Sequence, residues 1–313
     1  MISPKRLIQK VVTGLFGHMR HQSRQDQLFN VVGLACTLVG IVTLGALLID
    51  LAVQGLGRID WQFLTSFPSR HAARAGILSA IVGSMLIMLV TLFTAVPLGV
   101  AAAVYLEEYA RKNWITTLIE INIANLAGVP SIIYGLMALG LLVYYAGLGQ
   151  SILAGGLTLA FLILPIVIVA TREALRAIPK DIRVGAFALG STKWQVVRYH
   201  LLPYSMGGIA TGVIIAMSRA IGETAPLILM GALTFIAFLP PSPVQSDPPF
   251  VNAEWLDSPF TVLPIQMFNW VSRPDPAFLR NAAATGLVLI AMTLSMNAVA
   301  LVVRHRSRRR IHW

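Results

Sequence analysis

Long apolar runs alternate with short polar segments along the chain, and six runs are long enough to cross a membrane. A helix needs about 20 apolar residues to span the hydrocarbon core. Only helices and closed barrels satisfy their backbone hydrogen bonds in lipid, so runs of this length predict an all-α, polytopic membrane protein. We place the six predicted spans near residues 29–53, 76–104, 118–146, 151–170, 206–237 and 282–303.

The predicted spans contain features that require neighbouring helices. The fifth is longer than a membrane needs, so we expect it to tilt or to protrude. Each proline in a span frees a backbone carbonyl that a neighbour must satisfy, and small residues allow helices to approach closely. These features predict a packed bundle. The prolines are Pro97, Pro130, Pro165 and Pro226, and the small residues are Gly76, Ser79, Gly83, Gly207, Gly208 and Gly212.

The charge distribution predicts the orientation of the bundle. The chain is 56% hydrophobic and 12% charged, with a net charge of +11. A nucleic-acid binder would interleave basic and aromatic residues on soluble elements, whereas here the basic residues flank apolar runs. With a cytoplasmic N-terminus, 18 of the 24 lysines and arginines lie on the cytoplasmic side. The positive-inside rule therefore predicts that both termini and the 171–203 loop are cytoplasmic.

The predicted organisation has five parts. Residues 1–28 form a basic cytoplasmic tail, 29–53 the first transmembrane helix, 54–75 an external loop, 76–303 the core with spans two to six, and 304–313 a second basic tail.

An external cap is predicted over residues 238–281 of the core. It combines aromatic residues, which indicate a packed structure, with acidic residues, and we interpret it as a docking surface or as a structural lid. The aromatic residues are Trp255, Phe260, Phe268 and Trp270, and the acidic ones are Asp247, Glu254, Asp257 and Asp275.

The charged 171–203 loop predicts two short helices joined by a tight turn. Pro179 and Asp181 favour a helix start, and Gly190 can adopt the left-handed backbone that ends a helix. Ser191 or Thr192 can cap a second helix, which we expect to stop at Pro203. The pattern alone also fits an amphipathic connector that rests on lipid headgroups.

The fifth predicted span contains an Arg and a Glu at bilayer depth. Arg219 and Glu223 are four residues apart and therefore lie on one face of a helix. A charge at this depth is rare without a partner or a water-filled cavity, so the pair is either a self-neutralising structural pair or part of a transport path. An ion-coupled secondary transporter is one such reading.

Several kinds of chemistry are disfavoured. No G-x-x-x-x-G-K-[ST] loop occurs, so any dependence on ATP must come from a partner. All six histidines lie outside the predicted spans and no H-E-x-x-H motif is present, which disfavours an intramembrane enzyme or a metal site. Cys36 is the single cysteine, so no disulfide forms within the chain.

Residues 184–203, VGAFALGSTKWQVVRYHLLP, resemble the cytoplasmic "EAA" loop of ABC-importer permeases, E-A-A-x3-G-x9-I-x-L-P. Ala186, Gly190, Leu202 and Pro203 match this pattern. Three positions depart from it, namely Val184, Gly185 and His200. The resemblance implies that the loop docks on an ATPase subunit. The residues it implies for coupling are Gly185, Ala186, Phe187, Ala188, Leu189, Gly190, Ser191, Trp194, Leu202 and Pro203.

Three further segments look like the A-type permease subunit of the bacterial phosphate importer. They are PLGVAAAVYLEEYA, SRAIGETAPLILMGA and FTVLPIQMFNWVSRPDPAF. The resemblance implies a type I importer permease of the bacterial cytoplasmic (inner) membrane, without catalytic activity or cofactor of its own. It also implies a sister permease in a heterodimer, two ATPase subunits that bind ATP and magnesium, and an external phosphate-binding protein.

We predict that Arg219, Glu223 and Thr224 line the substrate path, and the same resemblance places the charged residues of this helix in transport. Import of another oxyanion, such as sulfate or molybdate, is the alternative within this class. An ion-coupled secondary transporter is the alternative of another class, although six spans with one large charged loop fit a permease subunit better.

Overall fold

The computed structural model describes residues 24–244 and 252–308. The described residues form helices without a β-strand, and one isolated antiparallel bridge joins Ser151 to Pro259. The α-helices are α1 Arg24–Gly55, α2 Trp61–Thr65, α3 Leu78–Val104, α4 Trp114–Leu126, α5 Ser131–Ala138, α6 Ile152–Arg176, α7 Lys180–Ala188, α8 Lys193–Val196, α9 Leu202–Gly222, α10 Ala225–Leu229, α11 Leu263–Val271 and α12 Ala277–Arg308. The π-helical segments are Tyr105–Tyr109, Leu139–Tyr145 and Val197–Leu201, and the 3-10 turns are Leu56–Arg58, Ala72–Arg74 and Glu254–Asp257.

The chain divides into two units, Met1–Val53 and Gln54–Trp313. The described part of the first unit is most of α1, whose apolar residues are distributed around its whole circumference. A helix without a polar face suits a lipid environment. Within the described residues, five helices are long and apolar enough to span a membrane, or six if one bent pair counts as a single span.

Helices α3 and α6 form the centre of the second unit, and glycines bring them together. A Cβ atom added to Gly99 of α3 would lie 2.6 Å from Val167 of α6, and one added to Gly156 of α6 would overlap Val90 of α3. Such contacts leave no room for a larger side chain. The predicted role of small residues in helix packing is thus seen in this bundle.

Helix α9 packs against α6 in the same way. Gly208 faces Ala174, where an added Cβ would lie 2.6 Å from the alanine Cβ, and Gly212 faces Ala170. Both glycines were predicted from the sequence as packing positions. They bring the first half of α9 into close contact with α6.

The third predicted span is not one continuous helix. Helix α4 ends at Leu126 and α5 begins at Ser131, with a bend of 104° between α4 and the helix from Ser131 to Tyr145. Pro130 begins the second part, and a residue before proline disfavours helical backbone. The side chain of Tyr134 donates a hydrogen bond of 2.9 Å to the carbonyl of Leu126, so it satisfies an acceptor that the break exposes.

The fifth predicted span is displaced at both ends. The helix runs from Lys193 to Gly222, so the stop expected at Pro203 and the extension expected to residue 237 are both wrong. Pro203 lies in the first turn of α9, directly after the π-helical turn Val197–Leu201. The wider π-turn accommodates a residue that lacks an N–H group without breaking the helix. Glu223 has extended backbone, and Pro226 lies in the first turn of the separate helix α10.

Candidate functional site

The turn of the 171–203 loop forms as the sequence predicts. Helix α7 begins after Pro179, and Gly190 has a φ of +86°, in the left-handed region. The N–H of Gly190 donates to the carbonyl of Phe187 at 2.9 Å. Thr192 and Gln195 exchange the two hydrogen bonds of a capping box, which starts the next helix. The first short helix and the glycine turn are therefore confirmed, whereas the second helix begins at its predicted cap but continues into α9.

The tip of this loop exposes large apolar side chains. Leu189 is 89% exposed and Val184 is 65% exposed, and Phe187 and Trp194 lie beside them at the surface. Val184 replaces the glutamate of the EAA pattern, so this departure lies on the outer face. Exposed apolar groups concentrated at a loop tip are typical of an interaction surface.

The remaining predicted coupling residues differ in where they lie. Gly185, Ala188 and Gly190 are exposed, and Ser191, Leu202 and Pro203 are half-buried. Ala186 is buried instead, in an apolar cluster with Val104, Leu175 and Leu201. Ala186 therefore faces its own chain and is not part of the outer surface.

A group of carboxylates holds together the helix ends that lie beside the 171–203 loop. We call this part of the bundle the loop end. Glu107, just after α3, lies 3.4 Å from Arg172 and 3.0 Å from Arg176 of α6. Arg172 also reaches Glu120 of α4, at 2.7 Å. The side chain of Arg172 is 9% exposed, so this arginine is a buried cation with two partners. These contacts join the ends of three helices.

The neighbouring carboxylate, Glu108, binds the loop itself. It accepts a hydrogen bond of 2.8 Å from Arg183 in the first half of α7. Glu107 and Glu108 belong to the segment PLGVAAAVYLEEYA, and no role was predicted for them from the sequence. A signal was available, because two adjacent acids follow a span on the same predicted side as a loop with six basic residues.

Arg219 and Glu223 are brought together at the end of α9. Arg219 Nε lies 3.3 Å from Glu223 Oε1, and the two side chains are 44% and 20% exposed. Within the described chain, no hydrogen bond uses the Nη1 or Nη2 group of Arg219. A Cβ added to Gly222 would meet open space, and Thr224 is half-buried just beyond. The outer fork of this guanidinium is thus available to an acceptor.

Two interruptions of helical backbone meet beside this pair. Gly135 of α5 packs against Pro226 of α10, where an added Cβ would lie 2.7 Å from the proline carbonyl. Tyr134, from the turn after the α4–α5 break, shares an apolar cluster with Ala216 and Ala220 of α9. Non-helical backbone at membrane depth is tolerated where protein or a water-filled path surrounds it. Arg219 and Glu223 therefore lie beside two breaks in helical backbone.

A large apolar cavity of the second unit lies elsewhere. It has a volume of about 1130 Å³ and lies between α3, α9 and α12, with Met85, Met88, Met206, Met217, Met292 and Met296 among its lining residues. Its lining is almost entirely apolar, and Arg219 does not contribute to it. An oxyanion needs polar donors, so this cavity does not suit one.

The external cap packs as expected over most of its described length. Trp255, Phe260 and Trp270 are buried, and Trp270 contacts Phe63 with ring centroids 5.9 Å apart. Phe268 is exposed, unlike the other three aromatic residues. The acidic side chains Glu254 and Asp257 are exposed, whereas Asp247 lies outside the described residues. Among the described residues, no cluster of His, Cys, Asp and Glu could hold a metal ion.

Solved structures with a similar fold are transporters. The chain matches a bacterial alginate ABC transporter, solved in complex with a periplasmic protein bound to an alginate pentasaccharide, with a TM-score of 0.63. The match covers 91% of this chain and 96% of that chain at 14% sequence identity, so it supports the fold alone. The predicted all-α importer-permease fold is confirmed.

Sequence relatives are permeases. The chain is 30% identical over 289 residues to the phosphate transport system permease protein PstA of Yersinia pestis, covering 90% of each chain. It is 28% identical over 299 residues to the probable ABC transporter permease protein YqgI of Bacillus subtilis, covering 94% of this chain and 95% of that one. Residues 95–313 match the family described as "Binding-protein-dependent transport system inner membrane component", so the chain belongs to this family of multi-pass inner-membrane permeases.

Proposed function

We propose that this chain is a permease subunit of an ATP-driven importer of inorganic phosphate. The observation that carries the proposal is the similarity to the phosphate permease of Yersinia pestis, which extends over 90% of both chains. In this function the chain provides half of a translocation path and carries out no bond-breaking chemistry. Its partners are a sister permease, two ATPase subunits that bind ATP and magnesium, and an external phosphate-binding protein.

The proposed topology places both termini and the 171–203 loop in the cytoplasm. The exposed apolar tip at Val184, Phe187, Leu189 and Trp194 is then the surface that docks on the ATPase. Gly190 supports this role, since its left-handed backbone turns the chain sharply and presents the tip. On the outer side, Glu254 and Asp257 of the cap face the binding protein.

Arg219 is the proposed contact for the transported anion. Its Nε group binds Glu223, which leaves the planar pair of terminal nitrogens for phosphate oxygens. Charge-assisted bonds to a guanidinium are strong, so an unopposed arginine would retain the anion. Glu223, 3.3 Å away, moderates this attraction and keeps the contact transient. Thr224 supplies a hydroxyl beside the pair.

The decisive experiment uses the complete complex reconstituted in lipid. ATP hydrolysis and uptake are measured with external binding protein that carries phosphate, sulfate or no anion. Stimulation by the phosphate-loaded protein alone supports the proposal. Stimulation by the sulfate-loaded protein would indicate another oxyanion, and uptake driven by an ion gradient without ATP would indicate a secondary transporter.

A further inference from the structure

Arg183 lies where three parts of the fold meet at the loop end. Its Nη2 and Nε groups donate to Glu108 Oε1 at 2.8 and 3.1 Å. Its Nη1 group donates to the carbonyl of Ile178 at 3.0 Å, and Nη2 also donates to the carbonyl of Leu175 at 3.0 Å. One guanidinium thus connects α7 to the C-terminal end of α6 and to the π-helical turn after α3.

The surroundings of Arg183 make this connection stiff. The side chains of Arg183 and Glu108 are 18% and 15% exposed, so water competes little for their hydrogen bonds. The carbonyl of Leu175 lies in the last turn of α6 and that of Ile178 just beyond it, at the helix end where the macrodipole attracts a cation. All three nitrogen atoms of the guanidinium group therefore donate hydrogen bonds, and the side chain is held in one geometry.

Apolar packing by itself does not hold α7 in one orientation. Ala186 is the one buried residue of this nine-residue helix. Ile182 is half-buried beside it, whereas Val184 and Phe187 face outward. A short helix held only by the methyl group of Ala186 and the half-buried side chain of Ile182 can pivot, because few of its atoms interlock with the surface below. The contact from Arg183 to Glu108 removes this freedom.

We propose that Arg183 is a positioning residue that makes α7 and the ends of α3 and α6 move as one rigid lever. This inference rests on the proposed function, in which α7 receives the movement of an ATPase. Close contacts at Gly99 and Gly156 leave little slack between α3 and α6. A displacement of α7 is therefore transmitted through Glu108 to the membrane helices. Without this contact, α7 would rotate alone and the membrane helices would not follow.

The test measures the phosphate transported per ATP hydrolysed by the reconstituted complex, and compares single variants with the unmodified protein. Arg183→Gln and Glu108→Gln keep the size of each side chain and remove its charge. Phosphate transported per ATP hydrolysed should fall by about tenfold, as expected when a coupling network loses one member. ATP hydrolysis and recovery of the ATPase subunits should persist, since the outer surface of α7 is unchanged. Arg183→Lys should give an intermediate ratio, because an ammonium group cannot bind Glu108 and both carbonyls together.

A matched control removes a nearby ion pair that joins no two elements. Glu173 lies 3.4 Å from Arg176 within α6 and its side chain is 66% exposed. Exposed pairs of this kind contribute little, so Glu173→Gln should leave the transport ratio unchanged. A ratio that fell equally in this control would contradict a specific role for Arg183.

A cross-linking experiment separates rigidity from charge. In a Cys36→Ser background, Arg183→Cys and Glu108→Cys are joined by a short bifunctional thiol reagent. Transport per ATP should be low before cross-linking and should recover afterwards, because a covalent link restores the lever without the ion pair.

An unchanged ratio of phosphate transported to ATP hydrolysed in Arg183→Gln and Glu108→Gln, or loss of ATPase binding in them, would overturn the inference. Absence of ATP-driven phosphate uptake by the unmodified complex would instead reject the proposed function.

Discussion

Arg219 and Glu223 remain paired across the end of a helix, with Nε and Oε1 3.3 Å apart. Arg219 lies in the last turn of α9, whereas Glu223 already has extended backbone. The pair was predicted on one continuous helix face, and the contact survives although the helix ends between the two residues. A charge at membrane depth costs at least about 2.5–3.5 kcal/mol on insertion scales, which makes a functional reason for Arg219 worth testing.

Replacement of Arg219 by glutamine should abolish phosphate uptake, because the variant keeps the size but loses the charge and the fork that binds phosphate oxygens. Arg219→Lys should recover only part of the uptake, since the charge remains without the fork. Membrane insertion and assembly should be normal in both variants. Uptake into proteoliposomes measures the effect, with Arg280→Gln, an exposed arginine of α12, as the control that retains uptake.

The double variant Arg219→Gln with Glu223→Gln distinguishes transport from structure. If the pair only neutralises itself, removal of both charges leaves nothing uncompensated, and transport proceeds at the unmodified rate. If Arg219 contacts the anion, the double variant stays inactive. Wild-type uptake by this variant would show that the proposed anion contact is wrong.

Gly190→Val should weaken the attachment of the ATPase. A left-handed backbone disfavours a β-branched residue by roughly 1–2 kcal/mol, and the resulting shift misaligns α7 and α8. The ATPase subunits should then co-purify poorly while the two permease subunits still assemble. Gly147→Val is a suitable control, because the φ of Gly147, +69°, is also left-handed and the space around this residue is open. Normal recovery of the ATPase with Gly190→Val would contradict a docking role for this turn.

Substitution of Asp247, Glu254 and Asp257 by asparagine should slow the association of the external binding protein. Charges at the edge of an interface accelerate encounter, and their loss also reduces the dependence of the rate on salt. Association is measured at low and high ionic strength. If the substituted and unmodified proteins associate at the same rate at both ionic strengths, the acidic residues do not guide docking and the cap is a structural lid.

Gly156→Leu should destabilise the bundle by about 1–3 kcal/mol, because the new side chain has no space against Val90. Thermal unfolding of the purified protein in detergent measures this loss. Gly140→Leu is the matched control, since no atom lies within 4 Å of a Cβ added there. Equal stability of the two variants would contradict the close packing of α3 and α6.

Local features of this protein were predictable because they depend on neighbours in the sequence. The glycine turn at Gly190, the helix cap at Thr192 and the spacing of Arg219 and Glu223 all act within about one helical turn. Each is present in the structure. The polar role of Arg183 was not found, because its partner Glu108 is 75 residues away.

Tertiary packing decided where helices break and which faces they bury. Pro203 lies inside a continuous helix because a π-turn accommodates it, whereas the chain bends by 104° beside Pro130. Both prolines follow the same local rule, so only the surrounding helices determine which outcome is stable. Likewise Ala186 and Val184 belong to one short helix, yet only contact with the ends of α3 and α6 buries the first and leaves the second for a partner.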